Sequence, residues 1–182
     1  MSAAPDMIQA VVSLGTNIEP RERRLADARA ALAALPRTRL AKASSIHETE
    51  PVDVPAAFRD QRFLNQIVVC ETALEAHDFL HRLQAIEAAQ GRVRGPVRNV
   101  PRTIDLDLIA FGDLVLDEPE LTLPHPRARQ RAFVLAPLAE VLPGFRWPDA
   151  GTVLAPPLPA SQPCPGDDDG RVEAEARKEE YP

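Results

Sequence analysis

The chain has 182 residues, 45% of them hydrophobic, and a formal net charge of -6. This length is enough for one domain with a sizeable core. The acidic balance disfavours a nucleic-acid partner, and no apolar run approaches the length of a membrane span. The N-terminal residues do not read as a signal peptide, and the two cysteines lack metal-site or disulfide-framework spacing, so we expect a cytoplasmic protein.

The N-terminal part of the chain combines a strand pattern with a helix pattern. Residues 8–14 form a short apolar run that predicts a buried strand, and residues 15–17, Gly-Thr-Asn, are typical of a turn. Residues 19–35 favour a helix with Pro20 in its first turn, and Pro36 ends it. The apolar positions that form its core stripe recur at helical spacing: Leu25, Ala28, Leu32 and Leu35.

The next segment predicts two strands with a loop between them. Residues 38–49 are typical of a half-buried strand, although their alternation is loose. Residues 50–61 contain two prolines and no clean period, so we expect a long loop, which suggests function or mobility. Residues 62–72 are rich in β-forming side chains and predict a strand. Alternate residues of this strand share one face: Phe63, Asn65, Ile67 and Val69.

A second helix is predicted over residues 75–90. Thr72 and Glu75 have the spacing of a capping box at its start. Gly91 is typical of the residue just beyond a helix C-terminus. The core stripe of this helix consists of Phe79, Leu80, Leu83 and Ile86.

The remaining elements complete a recognisable order. Residues 112–113, Gly-Asp, predict a hairpin-like turn after a further strand, and residues 131–141 predict a short helix. The order β-α-β-β-α-β is the split βαβ arrangement. We therefore predict an α+β, ferredoxin-like fold: an antiparallel sheet with helices on one face, an extra hairpin strand and a small C-terminal helix. We expect residues 1–150 to form this domain and residues 151–182, which are proline-rich and acidic, to be a disordered tail.

Two aspartates interrupt the apolar strand that follows Arg102. Because alternate side chains of a strand share a face, Asp105 and Asp107 point the same way, roughly 6–7 Å apart at Cα. At that separation their charges repel by about 2–3 kcal/mol if the effective dielectric is near 20, and a cation between them removes that cost. The alternative is a half-exposed antiparallel strand whose polar face meets water.

A loop rich in arginine leads directly into these aspartates. Its four arginines are Arg92, Arg94, Arg98 and Arg102. Guanidinium groups bind phosphate oxygens bidentately, although a solvated basic loop is the alternative in a chain with 19 arginines and 2 lysines. Next to the paired carboxylates, which suit Mg²⁺, the loop favours a phosphoryl-transfer site. His125, with three arginines close behind it, is a candidate for a further phosphate contact.

Several motifs resemble those of the 6-hydroxymethyl-7,8-dihydropterin pyrophosphokinase family. They are GRVR, PRTIDLDLIAFG and LPHPRARQRAFVLAPLAEV, with SLGTN and FLNQIVV in fitting order before them, and together they cover about residues 8–150. The resemblance implies transfer of pyrophosphate from ATP to the hydroxymethyl group of the pterin in folate biosynthesis, with release of AMP. It implies that residues 1–150 are the catalytic domain, that two Mg²⁺ ions bind with ATP as co-substrate, and that the protein is a monomer without nucleic-acid or membrane partners.

The resemblance also implies roles for individual residues. Asp105 and Asp107 match the ligands of the two Mg²⁺ ions, and with Arg92 and Arg102 they make up the catalytic set. The residues that match contacts to ATP are Gln84, Glu87, Arg92, Arg102, His125 and Arg131. The residues that match the pterin pocket are Thr49, Pro51, Val52, Phe63, Asn65 and Phe133. In this pocket the two phenylalanines cover the faces of the ring and the amide reads its edge, as a flat polar ring requires.

Two other classes of function remain as alternatives. A non-catalytic ferredoxin-like module would bind a nucleotide or a pterin without turnover, but the presence of both aspartates and both arginines argues against it. An RNA-binding sheet is the other alternative, since such folds can present aromatic side chains to bases. The net charge of -6 and the lack of a basic sheet face disfavour that function.

Overall fold

The main sheet has five strands and follows the predicted element order. The computed structural model describes residues 6–51, 60–92 and 101–150. The strands are β1 (Ile8–Thr16), β2 (Thr38–Ala43), β3 (His47–Thr49), β4 (Phe63–Thr72) and β5 (Asp105–Phe111). The spatial order is β2-β4-β1-β5, every pairing is antiparallel, and β3 also pairs with β4. This order confirms the ferredoxin-like α+β prediction.

Within the described residues, three α-helices and a small hairpin surround the sheet. The helices are α1 (Arg21–Ala33), α2 (Ala76–Ala89) and α3 (Ala132–Val141), and a 3-10 turn, Ala128–Gln130, precedes α3. The predicted extra hairpin strand is in fact a pair of two-residue strands, β6 (Leu116–Asp117) and β7 (Thr122–Leu123), which bond to each other as a separate sheet. The predicted tail, residues 151–182, lies outside the described residues.

The first two helices pack on one face of the sheet. Leu25 of α1 and Phe79 of α2 are fully buried there, beside Leu106 and Leu108 of β5. Each helix has an apolar stripe at helical spacing, and burial of that stripe is the main favourable term in its packing. Leu35 and Leu80 complete the predicted stripes but are only partly buried.

The opposite face of the sheet carries a helix that was not predicted there. The third helix packs there, and its Val134 and Leu138 bury against Ile67 and Ile109 of the sheet. Most residues of this helix are apolar, as expected for a helix that packs against this second core layer. The prediction of helices on one face therefore holds for α1 and α2, whereas α3 covers part of the other face and leaves one end of it for a site.

Local predictions were confirmed at one helix end and were wrong at three places. Gly91 follows α2 with φ of 79°, as expected for a residue after a helix end. The predicted turn at residues 15–17 was wrong because β1 runs to Thr16, and residues 38–49 form two strands with a break between them. The capping box was also wrong: Thr72 belongs to β4, and Glu75 is the N-cap without a side-chain hydrogen bond.

Candidate active site

The paired aspartates lie on the open end of the second sheet face. Leu106 and Leu108 of β5 face α1 and α2, whereas Ile109 lies in the opposite core layer, so the predicted alternation of the strand is confirmed. Asp105 and Asp107 are on the side of Ile109, opposite Gly15 and Ser13 of β1 in the antiparallel register. The carboxylates are therefore neither solvated on a free face nor buried in the apolar core.

Asp105 is paired with two arginines in this structure. The guanidinium Nη1 of Arg92 donates to Oδ1 of Asp105, and Nη1 of Arg102 donates to Oδ2. Burial by itself would raise the pKa of Asp105, but the charges of Arg102 and Arg92 outweigh that effect and hold the pKa below its usual value. Asp105 is thus kept ionised, with each oxygen engaged by a positive group.

Asp107 lies in a different electrostatic environment from its neighbour. Burial raises the pKa of Asp107, and the charge of Asp105 raises it further, against the opposing effects of His125 and Arg131. Its Oδ2 is 3.4 Å from Nη1 of Arg131, which is at the long end of a hydrogen bond. The charged form of Asp107 is therefore compensated less fully than that of Asp105, and a bound cation would favour it.

His125 is anchored beside β5 by its backbone. Its N–H donates to the carbonyl of Ile109 at 2.9 Å, and its Nδ1 accepts from the backbone N–H of Arg127 at 3.2 Å. Burial lowers the pKa of His125, and the nearby charges of Arg131 and Arg127 lower it too, against the opposing charge of Asp107. The acceptor role of Nδ1 leaves Nε2 as the donor of the neutral ring.

The C-terminus of α2 positions Arg92. The N–H of Gly91 donates to the carbonyl of Ala88 at 3.0 Å, and the N–H of Arg92 donates to the carbonyl of Glu87 at 3.0 Å, which is a Schellman motif. Glu87 is 2% exposed, and its carboxylate accepts from the Arg92 guanidinium and from the backbone N–H of Leu106 at 2.8 Å. The buried carboxylate of Glu87 therefore links the end of α2 to the start of β5 and to the Arg92 guanidinium.

The end of β1 positions Arg102. Asn17 Oδ1 accepts from the backbone N–H of Arg102 at 2.8 Å, and the Thr16 hydroxyl donates to the carbonyl of Thr103 at 2.7 Å. Asn17 is 8% exposed and Thr16 is fully buried. The sequence signal was present as Gly-Thr-Asn, but its interpretation as a turn hid this role, because the bonded residues are more than 80 positions apart.

An aromatic and amide region adjoins the charged groups. Asn65 Nδ2 donates to the Thr49 hydroxyl at 2.7 Å, across the pairing of β4 with β3. The guanidinium carbon of Arg102 is 5.9 Å from the ring centroid of Phe63, and that of Arg131 is 5.4 Å from the ring of Phe133. Each aromatic ring predicted for the pterin pocket is therefore in contact with an arginine predicted for the phosphates.

These groups surround one cavity of about 210 Å³. Its lining includes eight predicted site residues: Thr49, Phe63, Asn65, Arg102, Asp105, Asp107, Arg131 and Phe133. Five further lining residues were not assigned to the site from the sequence: Ser13, Gly15, Glu50, Arg127 and Gln130. Ser13 and Gly15 were missed because only the register of β1 against β5 reveals that they lie beside the carboxylates on the neighbouring strand.

Other predicted site residues lie near this cavity without lining it. The Arg92 side chain bonds to the lining carboxylate of Asp105. Glu87 and His125 bond to the backbone of β5, the strand that carries both aspartates. Gln84 lies one turn before Glu87 on α2 and is half-buried. Pro51 is half-buried next to the lining residue Glu50, and Val52 lies outside the described residues, as do Arg94 and Arg98.

The carboxylates suit a hard divalent cation that a phosphate ligand completes. Among residues 6–51, 60–92 and 101–150, no cluster of three or more histidine, cysteine or acidic side chains could hold a metal by itself. Mg²⁺ is usually bound by one or two carboxylates together with substrate phosphates and water, not by an all-protein cage. Two adjacent carboxylates, with arginines within contact distance, fit that pattern.

Comparisons with known proteins agree on one family. Residues 11–143 match the family described as 7,8-dihydro-6-hydroxymethylpterin-pyrophosphokinase (HPPK). A Pseudomonas aeruginosa protein named 2-amino-4-hydroxy-6-hydroxymethyldihydropteridine pyrophosphokinase is 47% identical over 146 residues, which are 79% of this chain and 86% of that protein. A Bacillus subtilis protein of the same name is 43% identical over 133 residues, 72% of this chain and 77% of that protein.

A solved structure supports the fold at lower identity. The wild-type HPPK-DHPS of Plasmodium falciparum superimposes with a TM-score of 0.61 at 14% identity, over 84% of this chain. The chain spans 44% of the length of that protein, so the likeness concerns the fold of this part alone. None of the helices in the described residues is long and apolar enough to cross a membrane.

Proposed function

Because the chain belongs to the 7,8-dihydro-6-hydroxymethylpterin-pyrophosphokinase family, we propose that its cavity transfers pyrophosphate from ATP to the hydroxymethyl group of 6-hydroxymethyl-7,8-dihydropterin, a step of folate biosynthesis. The observation that carries the proposal is the adjacency of two regions in one cavity. Asn65 with its aromatic neighbours suits a flat polar ring, and Asp105 with Asp107 suits a metal-bound polyphosphate. A transfer reaction needs both ligands side by side.

The pterin is held by side chains that three separate elements supply. Phe63 of β4 and Phe133, at the start of α3, offer faces for the two sides of the ring. Asn65 can both donate to and accept from the ring edge, and its bond to Thr49 fixes the amide orientation. The resemblance to the family implies that Pro51 and Val52 also belong to this pocket.

The metal ligands are Asp105 and Asp107, which we propose hold two Mg²⁺ ions together with the phosphates of ATP. When bound there, such ions would supply Lewis-acid stabilisation of the charge that develops in the transfer. Their carboxylates have different protonation tendencies, since the pKa of Asp105 is lowered and that of Asp107 is raised. Asp105 is therefore the more readily ionised carboxylate of the pair.

The arginines have a second partner in the reaction. In this structure Arg92 and Arg102 donate to Asp105, and Arg131 approaches Asp107. The same guanidinium groups can turn to phosphate oxygens, which they bind bidentately and without loss of charge. Arg92 and Arg102 then stabilise the transferred pyrophosphate, and Arg131 with His125 binds the rest of the nucleotide phosphates. The contacts of these arginines with Asp105 and Asp107, the proposed metal ligands, support this role because they put the guanidinium groups beside the proposed phosphate site.

Two residues on α2 belong to the nucleotide side. We propose that Glu87 acts through Arg92, because its buried carboxylate binds that guanidinium and the N–H of Leu106. Gln84 lies on the same helix face one turn earlier and is half-buried, which leaves its amide available to the nucleotide. These assignments come from the resemblance, and the positions of both residues are compatible with it.

The proposal extends to the organisation of the chain. The catalytic domain comprises residues 1–150, and residues 151–182 are not required for turnover. The protein acts as a cytoplasmic monomer on two small substrates, without nucleic-acid or membrane partners. Removal of residues 151–182 tests the first point, since the shortened protein should retain its rate of AMP release. Sedimentation of the full chain tests the second.

The decisive assay measures AMP released from ATP in the presence of Mg²⁺ and the reduced pterin alcohol. Asp105→Asn and Asp107→Asn should each lower turnover by more than 100-fold while the protein stays folded, since they remove the metal ligands. Asp113→Asn is a matched control, because Asp113 is an exposed aspartate in the turn after β5. A folded protein that binds the pterin but releases no AMP would identify the non-catalytic module instead.

A further inference from the structure

Ser13 is an almost completely buried residue of the cavity wall. It is 7% exposed, lies in the middle of β1 and lines the cavity. Within residues 6–51, 60–92 and 101–150, its hydroxyl makes no hydrogen bond to the protein. Among the described residues, the one enclosed side-chain polar atom without a partner is Oγ1 of Thr103, so the unbonded Ser13 hydroxyl is open to the cavity, where a ligand can bond to it.

The register of the sheet places this hydroxyl between the two regions of the site. Ser13 is directly opposite Asp107 of β5 on one side and Ile67 of β4 on the other. Residues directly opposite in an antiparallel pair have Cβ atoms roughly 4.5–5.5 Å apart. The next residue of β1 on this face, Gly15, is opposite Asn65 and Asp105. Ser13 is therefore a neighbour of the metal-binding carboxylate and a diagonal neighbour of the ring-reading amide.

We propose that the Ser13 hydroxyl hydrogen-bonds the hydroxymethyl oxygen of the pterin and thereby positions the acceptor. This inference rests on the proposed function, which requires that oxygen to lie at the carboxylates while the ring lies against Asn65. A hydroxyl can both donate and accept, so it matches a substrate alcohol in either orientation. Its other neighbours on this face, Val11 and Ile67, are apolar.

The test compares two pterins that differ only at the contacted group. Ser13→Ala should weaken the binding of 6-hydroxymethylpterin by about 3- to 10-fold, measured by calorimetry with Mg²⁺ and a non-hydrolysable ATP analogue. The same variant should bind 6-methylpterin as the wild type does, because that ligand has no oxygen for the hydroxyl to contact. The affinity for the ATP analogue and the unfolding temperature should not change.

A second variant separates hydrogen bonding from the filling of space. Ser13→Cys has nearly the same shape but is a weak hydrogen-bond partner, so it should behave like Ser13→Ala. A Cys variant that binds 6-hydroxymethylpterin like the wild type would overturn the inference. So would equal losses for both pterins, or a loss for the ATP analogue. Release of AMP by the wild type distinguishes these outcomes from a failure of the proposed function itself.

Discussion

A methyl group added at Gly15 should disturb the hydrogen bonds that we propose between the Asn65 amide and the edge of the pterin ring. A Cβ added to Gly15 would lie 3.2 Å from Oδ1 of Asn65 and 4.0 Å from Cβ of Asp105. Optimal heavy-atom contacts lie at roughly 3.5–4.0 Å, so the amide must move by several tenths of an ångström. Its partner Thr49, bonded at 2.7 Å, resists that movement because the bond is already short. The substitution therefore acts on the amide rather than on the fold.

The size of the effect follows from the geometry that a site tolerates. Binding groups must be held within roughly 0.5 Å of their productive positions, and one misaligned hydrogen bond costs about 0.5–1.5 kcal/mol. Gly15→Ala should thus raise the dissociation constant of 6-hydroxymethylpterin by about 3- to 10-fold, with a similar fall in kcat/KM for the pterin. The KM for ATP should change less, because the nearest phosphate-side group, Asp105, is in ordinary contact.

Calorimetry of pterin binding and steady-state AMP release provide the measurement, and Gly144→Ala is the control. Gly144 has φ of 79° and open space around it, so alanine there strains the backbone without touching the site. The control should lose about 1 kcal/mol of stability and keep its pterin affinity. Unchanged pterin affinity and unchanged kcat/KM in Gly15→Ala would refute the assignment of Asn65 as the reader of the ring.

Three further predictions concern positioning, packing and thiol chemistry. Asn17→Ala leaves the backbone N–H of Arg102 without its side-chain acceptor, so the free energy of unfolding in urea should fall by about 1–3 kcal/mol. The variant should also raise the KM for ATP more than the KM for the pterin. The opposite order of KM effects would contradict the role of Asn17. Phe79→Ala removes a fully buried ring 6.0 Å from that of Phe111 and should cost about 3–5 kcal/mol in the same measurement, whereas a cost below 1 kcal/mol would contradict the described core. Burial raises the pKa of Cys70 from 9.0 to about 11, so in a Cys164→Ser background the native protein should resist thiol alkylation at pH 8 and react only when unfolded. The same shift should lower stability as the pH rises from about 9 towards 11, since the unfolded state loses that proton first.

The sequence by itself determined the features that depend on neighbours along the chain. The period of two in β5 placed Asp105 and Asp107 on one face, and the helical period of Leu25 and Phe79 identified the buried sides of α1 and α2. These patterns are reliable because side-chain direction in a strand or helix follows from local backbone geometry. The order of elements then restricted the sheet to very few topologies.

The tertiary structure decided which distant residues meet. Asn17 binds Arg102, Glu87 reaches the N–H of Leu106, and Ser13 lies opposite Asp107, and none of these pairs is close in sequence. Register and helix placement come from the packing of the whole core, so no local pattern encodes them. The same reason explains why α3 was not predicted to cover the second face: its apolar surface finds its partner only when Ile67 and Ile109 are brought together by the sheet.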